Sequence, residues 1–177
     1  AMGCVIALTA DHGMNAKAAM DGKPQVIYLQ DWFDAQLGAG AARVILPITD
    51  PYVVHHGALG SFATAYLPAG ADQADIIARL RATNGIILVI DRAEAVKRFE
   101  LPADRIGDIV MISGENMTLG TSAHRHDLAA LNEPLRSHGG LTEQEVPFIV
   151  NRVIDLPAAP VLRNFDAFFY ATTAAAL

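Results

Sequence analysis

The sequence predicts an α/β protein, in which strand-like and helical segments alternate along 177 residues. Short apolar runs have the length and the flanking turn residues of buried strands, and the segments between them have helical spacing. Hydrophobic residues make up 52% of the chain. This is enough for a sizeable core in one domain, or in one domain with an insertion.

Each predicted strand is a short apolar run bounded by turn or capping residues. These runs, in chain order, are residues 4–8, 26–30, 43–48, 61–67, 86–90, 108–113 and 145–150. The longest aliphatic run, 86–90, is far shorter than the roughly 20 residues that span a bilayer. We therefore expect no membrane partner.

The predicted helices lie between these runs and begin or end at residues that commonly do so. They are 32–37 behind Asp31 and before Gly38, 72–83 before Asn84-Gly85, 91–99 from Asp91, and a C-terminal helix from Asn164 or Asp166. Residues 114–140 show little periodicity, and a segment of that length without regular structure is predicted to be a functional loop.

The net charge and the cysteine content indicate which partners and which cellular compartment to expect. The net charge of −6, without a cluster of lysines or arginines, argues against nucleic acid as a partner. The single cysteine, Cys4, cannot form an internal disulfide, and in an apolar strand we expect it to be buried. These features predict a soluble protein of a reducing compartment, the cytoplasm.

Two types of metal ligand stand side by side after the first predicted strand. Asp11 and His12 follow the apolar run 4–8. In an α/β sheet, ligands bind in the crevice outside the carboxyl ends of the strands. A carboxylate beside an imidazole can supply half of a zinc site there.

A third candidate ligand, His138, lies in the loop 114–140. Gly139 and Gly140 follow it, and their small size lets the backbone approach a bound group closely. Taken alone, a histidine beside glycines is more often a solvated or capping group. The prediction that His138 is a metal ligand therefore depends on its combination with Asp11 and His12.

Together the two motifs resemble the alkaline phosphatase superfamily and, within it, the phosphonoacetate hydrolase family. The resemblance rests on residues 9–17, 47–61 and 136–152, and it spans nearly the whole chain. It implies part of an alkaline-phosphatase-like core sheet with an inserted α+β cap. The implied segments are a core segment 1–40 with the Asp-His motif, a cap insertion 41–113, and a core segment 114–177 with the His motif.

The resemblance also implies a chemistry. Enzymes of that family hold two zinc ions, so Asp11 and His12 would bind the zinc on the nucleophile side and His138 would bind the second zinc. The implied reaction is hydrolysis of a small-molecule phosphonate, phosphonoacetate, to acetate and phosphate through a phosphothreonine. Paired zinc ions can neutralise the phosphonate oxygens and lower the pKa of the nucleophile.

The family's nucleophilic threonine and its remaining zinc ligands precede the Asp-His motif and have no counterpart in this sequence. The resemblance therefore implies a C-terminal half that is inactive alone, and we assign no catalytic residue. A sheet without its N-terminal strands is expected to expose an apolar edge, through which the chain forms a homo-oligomer or self-associates.

Several other residues have both a chemical and a structural interpretation, and the structural one is favoured for each. Thr9 is expected to pack in its strand rather than act as a nucleophile, and Lys17 to be solvated rather than to attract an anion. His124 and His126 are expected to be exposed in a loop, and the adjacent His55 and His56 are not expected to bind one metal jointly. Four aromatic residues are expected in the core, namely Trp32, Phe165, Phe168 and Phe169.

Two alternatives to phosphonoacetate hydrolysis stay open at this point. One is another two-metal phosphodiesterase or phosphomutase of the same superfamily. The other is a non-catalytic binding or assembly module in which the motifs hold at most one structural metal. The sequence lacks a Gly-x-Ser-x-Gly elbow, a Walker loop and a Gly-x-Gly-x-x-Gly turn, which argues against the reaction classes that use them.

Overall fold

The computed structural model describes residues 4–48, 57, 59–156 and 161–175. The predictions for His55 and His56 lie outside these residues. Within the described part of the chain, no helix has both the length and the apolar character needed to cross a membrane. Contacts between Cα atoms divide the chain into two compact units, Ala1–Gly13 with Glu143–Leu177, and Met14–Thr142.

Strands and helices alternate along the described residues, as predicted. The strands are β1 (Ala7–Thr9), β2 (Asn15–Ala16), β3 (Val26–Tyr28), β4 (Arg43–Ile45), β5 (Phe62–Tyr66), β6 (Ile86–Asp91), β7 (Ile109–Ser113), β8 (Thr118–Gly120), β9 (Arg136–Ser137) and β10 (Phe148–Val150). The α-helices are α1 (Leu29–Leu37), α2 (Gln73–Arg81), α3 (Arg92–Phe99) and α4 (Asp166–Ala175).

The first unit contains an antiparallel pair, β1 with β10, and helix α4. Leu8 lies opposite Ile149 in this pair, and the two side chains are 57% and 54% exposed. The predicted burial of Cys4 is wrong, since Cys4 is exposed. This unit therefore presents apolar side chains of both paired strands to solvent.

The predicted burial of the aromatic residues near the C-terminus is also wrong. Phe165, Phe168 and Phe169 were expected in the core, but all three side chains are more than half exposed. Among the side chains of this segment that the structure describes, that of Ala167 is buried. The helix is apolar around most of its circumference, so only one side can pack within its own unit, and the remaining aromatic rings stay outside.

The second unit is built on a four-stranded antiparallel sheet in the order β4-β5-β7-β6. Ile109 and Met111 of the central strand β7 enter one apolar cluster, and Val110 and Ile112 enter the other. Successive side chains point to opposite faces, so a continuous apolar run such as β7 indicates a strand covered on both sides. Helices α1 and α2 contribute to the first cluster, and α3 contributes to the second.

All four strands of this sheet lie within residues 41–113, the range of the predicted cap insertion. The division of the chain into core and cap at these boundaries stays a prediction.

Helix starts were predicted with mixed success. The carboxylate of Asp91 accepts a hydrogen bond from the backbone N of Glu94 at 2.8 Å, which confirms Asp91 as the cap of α3. In contrast, α1 begins at Leu29, before the predicted cap Asp31. Asp31 instead accepts a hydrogen bond from the backbone N of Ala123, so its carboxylate holds a neighbouring segment.

The segment 114–140 is not an irregular loop. Strand β8 pairs in parallel with β3, and β9 pairs in antiparallel fashion with β2. These strands are too short to give a periodic signal, and each is formed by pairing with a distant part of the chain. The prediction of a long loop is therefore wrong for this segment.

Candidate metal centre

Asp11 and His12 lie directly beyond β1, where the sequence places them. Strand β1 ends at Thr9, and the chain then turns past the two residues to Gly13. The backbone N of Gly13 donates a hydrogen bond of 2.7 Å to the backbone O of Glu143 in the same unit. This bond and the β1–β10 pairing fix the backbone on both sides of the motif.

The ring orientation of His12 suits a metal ligand. Its Nδ1 lies 2.9 Å from the backbone O of Gly13. A carbonyl oxygen can only accept, so Nδ1 carries the hydrogen, and in the neutral ring the lone pair is on Nε2. Metal-binding histidines usually donate their second ring N–H to a carbonyl or carboxylate in this manner, which sets the tautomer.

The carboxylate of Asp11 lies on the Nε2 side of the His12 ring. Its Oδ2 is 3.6 Å from Nε2, and its Oδ1 accepts a hydrogen bond from the backbone N of His12 at 3.0 Å. Tetrahedral zinc with bonds of about 2.0–2.2 Å separates an oxygen and a nitrogen ligand by about 3.4 Å. The observed separation is close to that value, so the pair fits two ligands of one zinc ion.

Both side chains are accessible. The Asp11 side chain is 85% exposed and that of His12 is 36% exposed. A cavity of about 220 Å³ in the same unit is lined by Thr9, Ala10, Asp11, Asn164, Phe165 and Phe168. Asp11 thus combines a fixed backbone with a side chain that an ion can reach.

His138 belongs to the second unit, where its backbone is held from three directions. Its O accepts a hydrogen bond from the backbone N of Ser61 at 2.8 Å. The hydroxyl of Ser137 donates to the backbone O of Leu59. Gly139 has φ of 95°, a conformation that favours glycine, and a Cβ there would lie 2.7 Å from Cγ1 of Ile48.

The described residues contain no group of three or more His, Cys, Asp or Glu side chains that could hold one metal. The assignment of Asp11, His12 and His138 as metal ligands stays a prediction. Thr9 is half-buried within β1, as its structural interpretation predicts.

Two residues were expected to be solvated and are not. Lys17 is completely buried, and its Nζ donates a hydrogen bond of 2.7 Å to the backbone O of Glu115. His126 is buried as well, and its Nε2 accepts a hydrogen bond of 2.9 Å from the backbone N of Thr121. His124 is exposed as predicted. The Nε2 of His126 is thus occupied by the backbone, which argues against shared metal binding with His124.

No protein-family model matches the chain. Crystal structures of phosphonoacetate hydrolase from Sinorhizobium meliloti 1021, in complex with phosphonoformate and with phosphonoacetate, share 72% sequence identity with it. Their TM-scores are 0.91 and 0.90, and each alignment covers 98% of this chain and 42% of the enzyme. The chain therefore spans about two fifths of the length of that enzyme.

A more distant match is murine ectonucleotide pyrophosphatase / phosphodiesterase 5. It shares 19% identity and has a TM-score of 0.52, with 84% of this chain and 34% of that one covered. At this identity the match shows the fold alone. By its identity to the bacterial enzyme over nearly its whole length, the chain belongs to the phosphonoacetate hydrolase family and has an alkaline-phosphatase-like fold.

Proposed function

We propose that this chain is a segment of a zinc-dependent phosphonoacetate hydrolase, to which it contributes Asp11, His12 and His138 as metal ligands. The observation that carries the proposal is the 72% identity to an enzyme whose crystal structures contain phosphonoacetate and phosphonoformate. The orientation of His12 toward Asp11 gives independent physical support, because it presents the ring nitrogen and the carboxylate together.

The proposed reaction adds water across the carbon–phosphorus bond. A nucleophile attacks phosphorus, the bond to carbon breaks, and the departing acetate carbanion or enolate takes up a proton. Water then attacks the phosphorylated nucleophile, which releases phosphate and restores the nucleophile. Phosphate and acetate are the products. Zinc, when bound, supplies positive charge against the phosphonate oxygens and the developing charge of the leaving group.

This chain's own residues orient the ligands in that reaction. The backbone O of Gly13 holds Nδ1 of His12, and the backbone N of His12 holds Oδ1 of Asp11. These bonds leave Nε2 and Oδ2 on the same side of the motif. The nucleophile is proposed to lie outside the 177 residues, so the isolated chain is expected to be inactive on phosphonoacetate.

A chimera tests the proposal. The matching segment of the Sinorhizobium meliloti enzyme is replaced by this chain, and release of phosphate and acetate from phosphonoacetate is measured with added zinc. We expect the chimera to be active and the Asp11→Ala, His12→Ala and His138→Ala variants to lose activity by at least about 100-fold. Asp155→Ala, which changes an exposed carboxylate of the first unit, is the control and should retain activity.

Three outcomes would contradict the proposal or part of it. A folded chimera without activity would show that this segment does not support the reaction. Turnover of a phosphate diester in preference to phosphonoacetate would favour the phosphodiesterase alternative. Retained activity in the three ligand variants would remove the assigned roles even if the substrate is correct.

The remaining expectations concern partners and location. We propose that the exposed apolar strand pair, represented by Leu8 and Ile149, promotes self-association of the isolated chain. Light scattering over a concentration series should therefore report species larger than the 18.8 kDa monomer. A monodisperse monomer at all concentrations would contradict the proposed self-association.

We also propose that the protein is cytoplasmic, because its single cysteine needs no oxidising compartment.

A further inference from the structure

The second unit contains an open cleft of about 670 Å³ that the proposed function does not use. One wall is α1 and the following segment to β4, and the other is the short helical turn Ala123–Arg125 with the two residues before it. The volume lies within the range of small-molecule binding sites, about 300–1,000 Å³. The cleft belongs wholly to the second unit, whereas Asp11 and His12 belong to the first.

Positive charge is concentrated in this cleft although the whole chain is acidic. Arg43 from β4 and Arg125 from the helical turn line it, together with the imidazole of His124. Within the residues that the structure describes, neither guanidinium makes a hydrogen bond or an ion pair. Asp34 is the carboxylate of the lining, so the two arginines leave an excess of positive charge in a chain of net charge −6.

The carboxylate of Asp34 lines the cleft and already accepts two hydrogen bonds from the protein. Its Oδ1 accepts hydrogen bonds from Nε2 of Gln30 at 2.8 Å and from the backbone N of Gly40 at 3.0 Å. The amide of Gln30 also bonds to the outer edge of the sheet, donating to the O of Ala42 and accepting from the N of Val44. This network fixes α1 against the edge of β4.

The opposite wall is fixed by similar bonds. The backbone N of Gln30 donates to the O of Thr121, and the backbone N of Ala123 donates to the carboxylate of Asp31. Ser122 lines the cleft and is buried, and its hydroxyl makes no hydrogen bond within the described residues. The cleft thus has hydrogen-bonded walls, two guanidinium groups that make no ion pair among the described residues, and a hydroxyl donor.

We propose that this cleft binds a small oxyanion, a carboxylate or phosphate group of a metabolite, through residues other than Asp11, His12 and His138. Guanidinium groups present paired N–H donors that match the oxygens of carboxylate and phosphate. Arg43 and Arg125 hold the anion from the two walls, and the Ser122 hydroxyl donates to a third oxygen.

Nuclear magnetic resonance titration of the 177-residue chain tests the proposal in the presence of a metal chelator. Inorganic phosphate and acetate are added in separate experiments at constant ionic strength. We expect saturable shifts of the backbone amide signals of Gly40, Val44 and Ser122 with at least one of the two anions. The comparison identifies which oxyanion is preferred, and the same spectra report whether the chain is folded.

Two substitutions define the site, and a third is the control. Arg43→Gln and Arg125→Gln are each expected to weaken binding by about tenfold or more, because each removes a charged donor. Arg105→Gln, which removes an exposed guanidinium outside the cleft, should bind as the unaltered chain does. All three are surface changes, so the fold should be kept.

The proposal is overturned if neither anion gives saturable shifts at the cleft, or if Arg43→Gln and Arg125→Gln bind as tightly as Arg105→Gln does. The Asp11→Ala, His12→Ala double variant should bind normally. Loss of binding in that variant would place the anion at the metal motif instead. Because the titration needs neither metal nor turnover, its result is independent of the proposed hydrolase activity.

Discussion

The Nδ1 atom of His12 lies 2.9 Å from the backbone oxygen of Gly13. This contact determines which nitrogen of the ring can bind a metal, because the carbonyl requires a hydrogen on Nδ1. The other nitrogen, Nε2, is 3.6 Å from Oδ2 of Asp11. A single backbone carbonyl therefore selects the tautomer that presents Nε2 beside the carboxylate.

The first prediction concerns this tautomer. In the metal-free chain, the neutral ring of His12 should carry its hydrogen on Nδ1. Long-range proton–nitrogen correlation spectra distinguish the two tautomers. His124, which is exposed, should by comparison show the average of both. A hydrogen on Nε2 of His12 would contradict the orientation that the metal site requires.

The second prediction concerns the buried amine of Lys17. Lys17→Met keeps the apolar stem but leaves the backbone O of Glu115 without this donor, so the free energy of unfolding should fall by about 1–3 kcal/mol. Lys23→Met changes a lysine whose side chain is 83% exposed, and it should alter stability by less than about 0.5 kcal/mol. Urea denaturation measures both. Equal stabilities of the two variants would show that the buried amine contributes nothing.

The third prediction separates backbone strain from crowding at Gly139. Gly70 and Gly139 have positive φ angles of 79° and 95°. A Cβ at Gly70 meets no atom within 4 Å, whereas one at Gly139 approaches Ile48 closely. Gly70→Ala should cost about 1 kcal/mol from strain alone. Gly139→Ala should cost more and should also reduce the activity of the chimera by displacing His138.

Thermal unfolding of the two alanine variants measures the difference between these costs. If Gly139→Ala is as stable as Gly70→Ala and fully active in the chimera, close packing after His138 does not position that histidine.

The fourth prediction concerns pH. Burial raises the pKa of Tyr28 above its usual value of 10.0, and the negative charge of Asp31 raises it further. The folded state therefore keeps the phenolic proton at pH values where the unfolded chain releases it. The stability from this group is complete below about pH 10 and is lost as pH rises through the folded pKa. Tyr28→Phe should therefore lose less stability than the unaltered chain between about pH 9 and about pH 11, a range centred on the usual pKa of tyrosine.

The tyrosinate absorbance of the folded chain provides a second measurement. The component from Tyr28 should titrate above the usual pKa of a tyrosine, and it should be absent in Tyr28→Phe. A Tyr28→Phe variant with the same alkaline titration and the same pH dependence of stability would contradict the prediction.

Local sequence rules predicted the features that depend on neighbouring residues. Asp91 caps α3, and the apolar run of β7 is a strand covered on both faces. Both outcomes follow from local capping and from the period of side chains along a strand. The position of Asp11 and His12 after a strand follows from the same local information.

Features that depend on distant contacts were missed. Lys17 is buried because the carbonyl of Glu115, far along the chain, accepts from its amine. His126 is buried because it stacks on Tyr28 and receives the backbone N–H of Thr121. Conversely, Phe168 is exposed because its side of α4 is not covered within its own unit. The sequence shows the polarity of these side chains but not the partners that decide their burial.

Anomalous diffraction at the zinc edge, from crystals of the chimera, would locate bound zinc relative to Asp11, His12 and His138. We expect two zinc ions, one within about 2.0–2.2 Å of an Asp11 oxygen and of Nε2 of His12, and the other at the same distance from a ring nitrogen of His138. Zinc bound by other residues, with these three side chains directed elsewhere, would show that they are not its ligands.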